Sequence, residues 1–352
     1  MSNLKSLSKY SYSKISTYKQ CKFKFKLKYI DKNFLFNANI ATDFGSLVHA
    51  TEEAIARAIQ MGIPIDYVTL KNKFILESRK LAIKYPNDFY TKDKSNRTYQ
   101  EKTYLYLEQS IYRLEKFMLA HPNLRIIGIE QKFEYDYDGI HSFSGSIDRA
   151  FLDTITGDII IQDIKSWPVA AAPSELKAPL QFTVYTLAAE QLWNTPCDKI
   201  RCEYDLPFCD CVQAATSTDL VTEGKVILDK LFKGIQKEDF KPTVTALCHW
   251  CEYNPLTNPS IINEHPNAVC PYFSTWQKSG DSVHDTIVSW QDLSAVAADR
   301  QLCISQIRQQ MSNATNATKE VLTCLRTSLS LLEGWRWEPM LCTIDFLSLL
   351  LR

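Results

Sequence analysis

Asp148, Asp163 and Lys165 form a D-x14-D-x-K pattern inside residues 143–165. Two β-like runs flank a turn rich in Thr, Gly and Asp, from Asp153 to Asp158, and this predicts a hairpin. Asp163 and Lys165 are two residues apart and so share one face of a strand. A hairpin of this length brings Asp148 beside them, which places two carboxylates and an ammonium at one end of a small sheet. Hard divalent cations take carboxylate oxygens, and two close acids are costly unless a cation sits between them. A lysine at the rim then orients a water near the ion, the chemistry of metal-assisted phosphodiester hydrolysis. A solvated hairpin with a surface lysine fits the same spacing, so the surrounding residues decide.

Four further constellations bear on that choice. His49 lies one turn from Glu53 on a helical run that starts near Gly45 and ends near Gly62. Read alone it is a core histidine. On a helix packed against the hairpin, its imidazole adds a nitrogen donor to the two carboxylates, a set suited to Mn²⁺ or Mg²⁺. Glu130 sits in the middle of an alternating apolar run, where an unpaired carboxylate is expensive. It either pairs with a lysine or joins the acidic site. Gln181 and Tyr185 share a helix face just after the hairpin, as a plain helix surface or as groups that reach a phosphate.

The cysteines sort into two groups. Cys248-x-x-Cys251 with Cys270 downstream is a local set of three thiolates, and Cys21 stands far upstream. By count alone, four thiolates suit a structural Zn²⁺ or an iron–sulfur cluster equally. Cys197, Cys202, Cys209, Cys211, Cys303, Cys324 and Cys342 read as small buried hydrophobes.

Charge and composition narrow the class. Lys and Arg total 40 against 40 Asp and Glu, so net charge says nothing about partners, but its distribution is uneven. Lys5, Lys9, Lys14, Lys19, Lys22, Lys24, Lys26, Lys28 and Lys32 face one acid, Asp31, within residues 1–40. Such a patch meets phosphates, or is simply the solvated face of a helix. The first residues lack the apolar segment of a signal peptide, and Phe346 to Leu351 is too short to span a bilayer. The expectation is an intracellular, cytoplasmic protein with no membrane contact, in which cysteines serve metals rather than disulfides.

Periodicity supplies the elements that must position these groups. Helices are expected over 11–30, 45–62, 66–85 and 99–120, then strands over 125–137, 143–152 and 159–165. A helix from Leu180 to Trp193, strands over 199–207 and 211–215, and a helix from Leu220 to Ile235 follow. This order predicts an α/β fold with a mixed central sheet flanked by helices. Three parts are expected: an N-terminal helical region (1–122), a core with the cysteine set (123–275) and a helical tail (276–352) with helices near 290–311 and 316–333.

The motifs in order run S-x-S-x-x-x-x-Y-x-x-C at 11–21, G-x-x-x-H at 45–49, G-S-I-D-R at 145–149, D-I-K at 163–165 and Q-x-x-x-Y at 181–185. C-x-x-C and C-P-Y-F close the series. This resembles the PD-(D/E)XK nuclease superfamily, in its RecB-like branch with an iron–sulfur cluster, which holds AddB-type and Cas-four-like nucleases. The resemblance covers about residues 10–275 and implies a restriction-endonuclease-like core. It implies that His49, Asp148, Asp163 and the backbone carbonyl of Ile164 hold Mg²⁺ or Mn²⁺. Lys165 positions the attacking water, and Glu130 lies near the ion. Cys21, Cys248, Cys251 and Cys270 match the ligands of a 4Fe-4S cluster, with structural Zn²⁺ as the alternative. The interval of 18 residues between Cys251 and Cys270 is longer than that branch shows.

The leading expectation is a metal-dependent deoxyribonuclease, a single-strand-preferring exonuclease acting on DNA with free ends. Gln181, Tyr185, Lys14, Lys19, Lys22 and Lys24 would meet the DNA, and Tyr18, Phe23 or Phe25 would stack on unpaired bases. No phosphate-binding G-x-x-x-x-G-K-[ST] is present, so any unwinding falls to a partner, a helicase or a recombination or CRISPR-adaptation protein. The resemblance also implies a bacterial or phage-encoded protein. The alternative is a catalytically silent DNA-binding scaffold of the same fold, acting in recombination or repair.

Overall fold

A computed structural model describes residues 8–35, 39–255, 258, 260–270, 272–279 and 282–289. The helices expected near 290–311 and 316–333, with Cys303, Cys324 and Cys342, lie outside the described residues. In chain order the elements begin with β1 (Lys9–Tyr10), α1 (Tyr12–Gln20), α2 (Lys22–Phe25) and a π-helical turn (Lys26–Ile30). Helices α3 (Ile40–Met61), α4 (Tyr67–Lys84), α5 (Pro86–Tyr90), α6 (Tyr99–Glu108) and α7 (Arg113–Ala120) follow. Next come β2 (Leu124–Asp136), β3 (Ser142–Asp153), β4 (Ile159–Ile164) and α8 (Leu180–Trp193). Then β5 (Ile200–Leu206), β6 (Cys211–Ala214), α9 (Leu220–Gln236) and the short α10 (Ile261–Glu264). A hairpin of β7 (Tyr272–Ser279) and β8 (Ser282–Ser289) lies where a helical tail was expected.

The chain divides into two compact units, one of residues 1–20 and 37–240, the other of 21–36 and 241–352. The first unit is built on a mixed sheet. β2 pairs antiparallel along the whole length of β3, whose other edge takes β4 at one end and β1 at the other. β4 and β5 are parallel, as α8 crosses between them, and β6 closes the order antiparallel to β5. Helices flank this sheet, so the fold is the mixed α/β class that the order of elements predicts.

α3 starts earlier than Gly45. Asn39 caps it, its side-chain oxygen accepting from the Thr42 N–H at 2.9 Å, and Gly62 ends it in the left-handed region at φ 66°. Phe44, Val48 and Ile55 then bury one stripe of α3 against Phe74, Tyr106, Ile126, Phe151 and Ile160. The expected front helices therefore share one core with the sheet. The helix expected over 99–120 breaks at Gln109 into α6, a 3₁₀ turn and α7. α8 is buried from Leu180 through Ala189, which marks it as the central helix of this unit.

The second unit has its own small core. Leu27, Tyr253, Ile261, Ala268 and Cys270 pack together, with Phe23, Leu35, Cys251, Ile262 and Val269 partly buried around them. The Tyr253 hydroxyl donates to the Asn33 carbonyl at 2.6 Å, and the Cys270 N–H donates to the Tyr253 carbonyl at 2.9 Å. The first of these bonds joins the two sequence-distant pieces of the unit. No helix among the described residues is long and apolar enough to cross a membrane.

Candidate metal centre

The site forms where β3 and β4 part. Their last paired rung is Arg149 opposite Gln162, so the next residues in register are Asp148 and Asp163. The hairpin reading therefore puts the two acids side by side, at the end of the pairing rather than within it. The Ile164 N–H donates to Asp148 Oδ2 at 2.8 Å, which closes the gap between the strands.

His49 reaches the same point from α3. Its Nδ1 lies 3.5 Å from Asp148 Oδ2 and 3.9 Å from Glu130 Oε1. One donor atom from each of His49, Glu130 and Asp148 falls within 4.8 Å of the other two. Glu130 occupies a strained position in β2, at φ 45° in the left-handed region that few non-glycine residues adopt. A register shift between Ile126 and Gly128 lies two residues upstream of it. Strain of this kind persists where the surroundings hold it for a use. The Ser146 hydroxyl completes the anchoring by donating to Glu130 Oε2 at 3.1 Å. A cavity of about 500 Å³ opens over His49, Glu130 and Asp148, walled by α3 from Ala41 through Glu53. Gly45 lies in that wall, where an added Cβ would stand 3.2 Å from the Ser166 hydroxyl.

Asp163 is held differently. Its Oδ1 accepts from Gln181 Nε2 at 2.9 Å and from the Tyr185 hydroxyl at 3.1 Å. Its Oδ2 is buried without an aligned hydrogen bond, and Lys165 Nζ lies 2.6 Å away as an ion-pair partner. Gln181 and Tyr185 thus share a face as their spacing requires, but that face is buried and turned onto Asp163. An amide and a phenol this deep orient the carboxylate that pairs with the lysine.

The electrostatics suit a divalent cation. Burial and the neighbouring Asp163 push the Asp148 carboxyl up to about 7. Burial opposes the charged form of His49, yet Glu130, Asp148 and Asp163 together raise its pKa. The facing imidazole lowers that of Glu130. Three carboxylates therefore gather around one imidazole and one ammonium, and one buried oxygen lacks an aligned partner. Two carboxylates with an imidazole are a donor set for Mn²⁺ or Mg²⁺. The converging set includes Glu130 where the sequence reading had Asp163 with the Ile164 carbonyl.

The basic stretch is less open than its composition implied. Lys24 Nζ pairs with Glu252 at 2.7 Å, and although burial works against its charge, Glu252 raises its pKa. Lys28 lies 3.9 Å from Glu252, and Lys26 pairs with Asp31 at 2.7 Å. Lys14 donates to the Lys9 carbonyl at 2.8 Å, and burial brings its pKa down to about 8. Lys19 is exposed and Lys22 half-buried. Tyr18 and Phe25 are buried, so neither presents a ring for stacking; Phe23 is partly exposed.

All four cysteines of the expected cluster belong to the second unit. Lys24 stands beside both Cys21 and Cys251, and burial raises the Cys251 thiol to about 11. Among the described residues no three of the four bring sulfurs within 4.8 Å of one another. A tetrahedral Zn²⁺ with bonds of about 2.3 Å draws its sulfurs to roughly 4 Å from one another. A cubane cluster holds its thiolates wider. Of the cysteines read as small hydrophobes, Cys202 is buried, while Cys197, Cys209 and Cys211 are half-buried.

Residues 9–256 match the family model of the PD-(D/E)XK nuclease superfamily. The match spans most of the 352 residues and takes in the sheet, His49, Glu130, Asp148, Asp163 and Lys165. The chain belongs to this superfamily, whose members are nucleases that hydrolyse phosphodiester bonds with divalent metals. Its mixed sheet flanked by helices is accordingly the restriction-endonuclease-like fold. The matched span includes Cys21, Cys248 and Cys251 and stops short of Cys270. A comparison with curated proteins finds no match.

Proposed function

We propose that the protein is a metal-dependent deoxyribonuclease of the exonuclease type, preferring single strands or free ends. The observation that carries this reading is the convergence of His49, Glu130 and Asp148 at the strand ends, beside the Asp163–Lys165 pair. His49, Glu130 and Asp148 would hold Mg²⁺ or Mn²⁺, with Asp163 and the Ile164 carbonyl completing the acidic surround. The bound ion would supply Lewis acidity toward a phosphate oxygen and a water of lowered pKa. Lys165, held by Asp163, orients that water and stabilises charge developing on the phosphate. Gln181 and Tyr185 fix Asp163, and so fix the lysine.

Metal removal tests the reading. Protein stripped with a chelator should bind DNA without cutting, and added Mg²⁺ or Mn²⁺ should restore cutting; undiminished cutting in chelator would sink it. Lys14, Lys19 and Lys22 are the remaining candidates for phosphate contact from the basic stretch.

A 4Fe-4S cluster on Cys21, Cys248, Cys251 and Cys270 belongs to the same proposal. Its support is that the chain gathers these four residues, from positions more than 200 apart, into one unit. Such a cluster would fix that unit's two chain segments to each other. Anaerobically purified protein should be brown, with absorbance near roughly 400 nm that Cys248→Ser removes; a colourless anaerobic preparation would contradict it.

A further inference from the structure

We propose that Arg149 is a positioning residue for the metal centre, acting through Glu52 on His49. Arg149 follows Asp148 in β3, so strand alternation sends its side chain to the opposite face of the sheet. There it is buried, with only 2% of its surface exposed, and its guanidinium binds three elements at once. Nε and one terminal nitrogen donate to Gln162 Oε1 of β4 at 3.0 and 2.7 Å. The same terminal nitrogen donates to Asp205 Oδ2 of β5 at 2.8 Å. The other donates to Glu52 Oε2 of α3 at 3.2 Å.

Each partner is tied in turn. Gln162 Nε2 donates to Glu203 Oε1 at 2.6 Å, and Arg113 donates to Asp205 Oδ1 at 2.8 Å. The Asp205 carbonyl accepts from the Lys165 N–H at 2.9 Å, so the network reaches the backbone of the lysine itself. The Tyr106 hydroxyl donates to Glu52 Oε1 at 2.8 Å.

Gln162 and Asp205 thus fix the guanidinium relative to β4, which carries Asp163, and to its neighbour β5. The guanidinium fixes Glu52, and Glu52 sits three residues after His49 on α3, on the same side of the helix. Rotation or sliding of α3 would carry the His49 imidazole away from Asp148 and Glu130. Stability alone does not account for the arrangement, since a buried ion pair is often no more stabilising than apolar residues of the same shape. What apolar packing lacks is a directional bond that sets the azimuth of α3. The position of His49 is the group that uses it.

The test is Mn²⁺ affinity of the full chain by calorimetry, with thermal unfolding recorded on the same samples. A lysine at 149 keeps the charge but lacks the rigid planar fork that spans Gln162, Asp205 and Glu52. Arg149→Lys should weaken Mn²⁺ binding about tenfold or more, as the loss of a partner that orients a ligand does. In a His49→Ala background the same substitution should cost less than about threefold, because its effect passes through His49. Should Arg149→Lys fail to fold, Glu52 serves instead. Glu52→Gln, whose amide oxygen still accepts from Arg149 while its N–H₂ donates to the Tyr106 hydroxyl, should bind Mn²⁺ nearly as the wild type does, whereas Glu52→Met should lose about tenfold. Unchanged affinity in folded Arg149→Lys or Glu52→Met, or full additivity with His49→Ala, would overturn the inference. The inference rests on the metal-site reading: a wild type that binds no Mn²⁺ overturns both, while equal binding by wild type and variants overturns this one alone.

Discussion

Asp148→Asn should reduce divalent-dependent cleavage by on the order of a thousandfold and yet stabilise the metal-free protein at pH 8. The two effects have one origin. Burial and Asp163 raise the Asp148 carboxyl to about 7, far above its value in an unfolded chain. Between about pH 4 and pH 7 the folded state therefore holds a proton that the unfolded state has lost. Stability contributed by this group is complete below about pH 4 and lost as pH rises through 7. Asparagine keeps the acceptor for the Ile164 N–H and does not ionise. The variant should gain roughly 2–4 kcal/mol over the wild type at pH 8, with the gain vanishing near pH 4. Added Mn²⁺ should raise the melting temperature of the wild type more at pH 8 than at pH 6, since a proton and the ion compete for Asp148. The variant should show little of that rise. Melting curves across pH, with and without Mn²⁺, decide it; an unchanged pH profile in the metal-free variant would contradict the assignment.

Gly224→Ala should destabilise the first unit, although Ala is the better helix former by about 1 kcal/mol. A Cβ at Gly224 in α9 would stand 2.0 Å from Thr183 Oγ1, 2.4 Å from its Cγ2 and 2.6 Å from its Cβ. Thr183 is fully buried in α8 and its hydroxyl donates to the Leu220 carbonyl at 3.3 Å, so it has nowhere to turn. The helices must separate, which disturbs Leu228, Phe232 and Ile235 on the buried face of α9. A loss of about 1–3 kcal/mol or more is expected in chemical denaturation. Cleavage should fall with it, because Thr183 lies between Gln181 and Tyr185, the two groups that hold Asp163. Thr183→Gly combined with Gly224→Ala moves the Cβ to the other helix and should recover at least half of the loss. Gly224→Ala at wild-type stability would show that the helix contact is looser than described.

The two acids and the lysine were legible in the sequence because a hairpin is a local device. Register follows from the turn, and alternation places Asp163 and Lys165 together. α8 was equally legible, since its run from Leu180 to Ala189 is largely apolar and holds no Gly or Pro. Direction was harder to read than position. The spacing of Gln181 and Tyr185 gave a shared face, but whether that face looks outward depends on packing by α9. Glu130 was visible as an acid in an apolar strand, whereas its left-handed backbone depends on the bulge beside it, which no residue type announces. Lys24 looked like a phosphate contact because its partner, Glu252, is over 200 residues away. Nothing in G-S-I-D-R by itself singles out Arg149, although alternation from Asp148 consigns it to the opposite face of the sheet. The break at Gln109 has no Gly or Pro to mark it, and β1 is two residues long.

Digestion of end-labelled single-stranded DNA with Mg²⁺ or Mn²⁺, wild type against Lys165→Ala, tests the central claim most directly. The account predicts that wild type cuts and that the variant is slower by about 10²–10³-fold while binding the same DNA within a few-fold. The labelled end would also report the polarity of cutting. Wild-type protein that binds DNA and never cuts, with its metal bound, would contradict the nuclease reading and favour the scaffold; cutting that survives in Lys165→Ala would contradict the role given to the lysine.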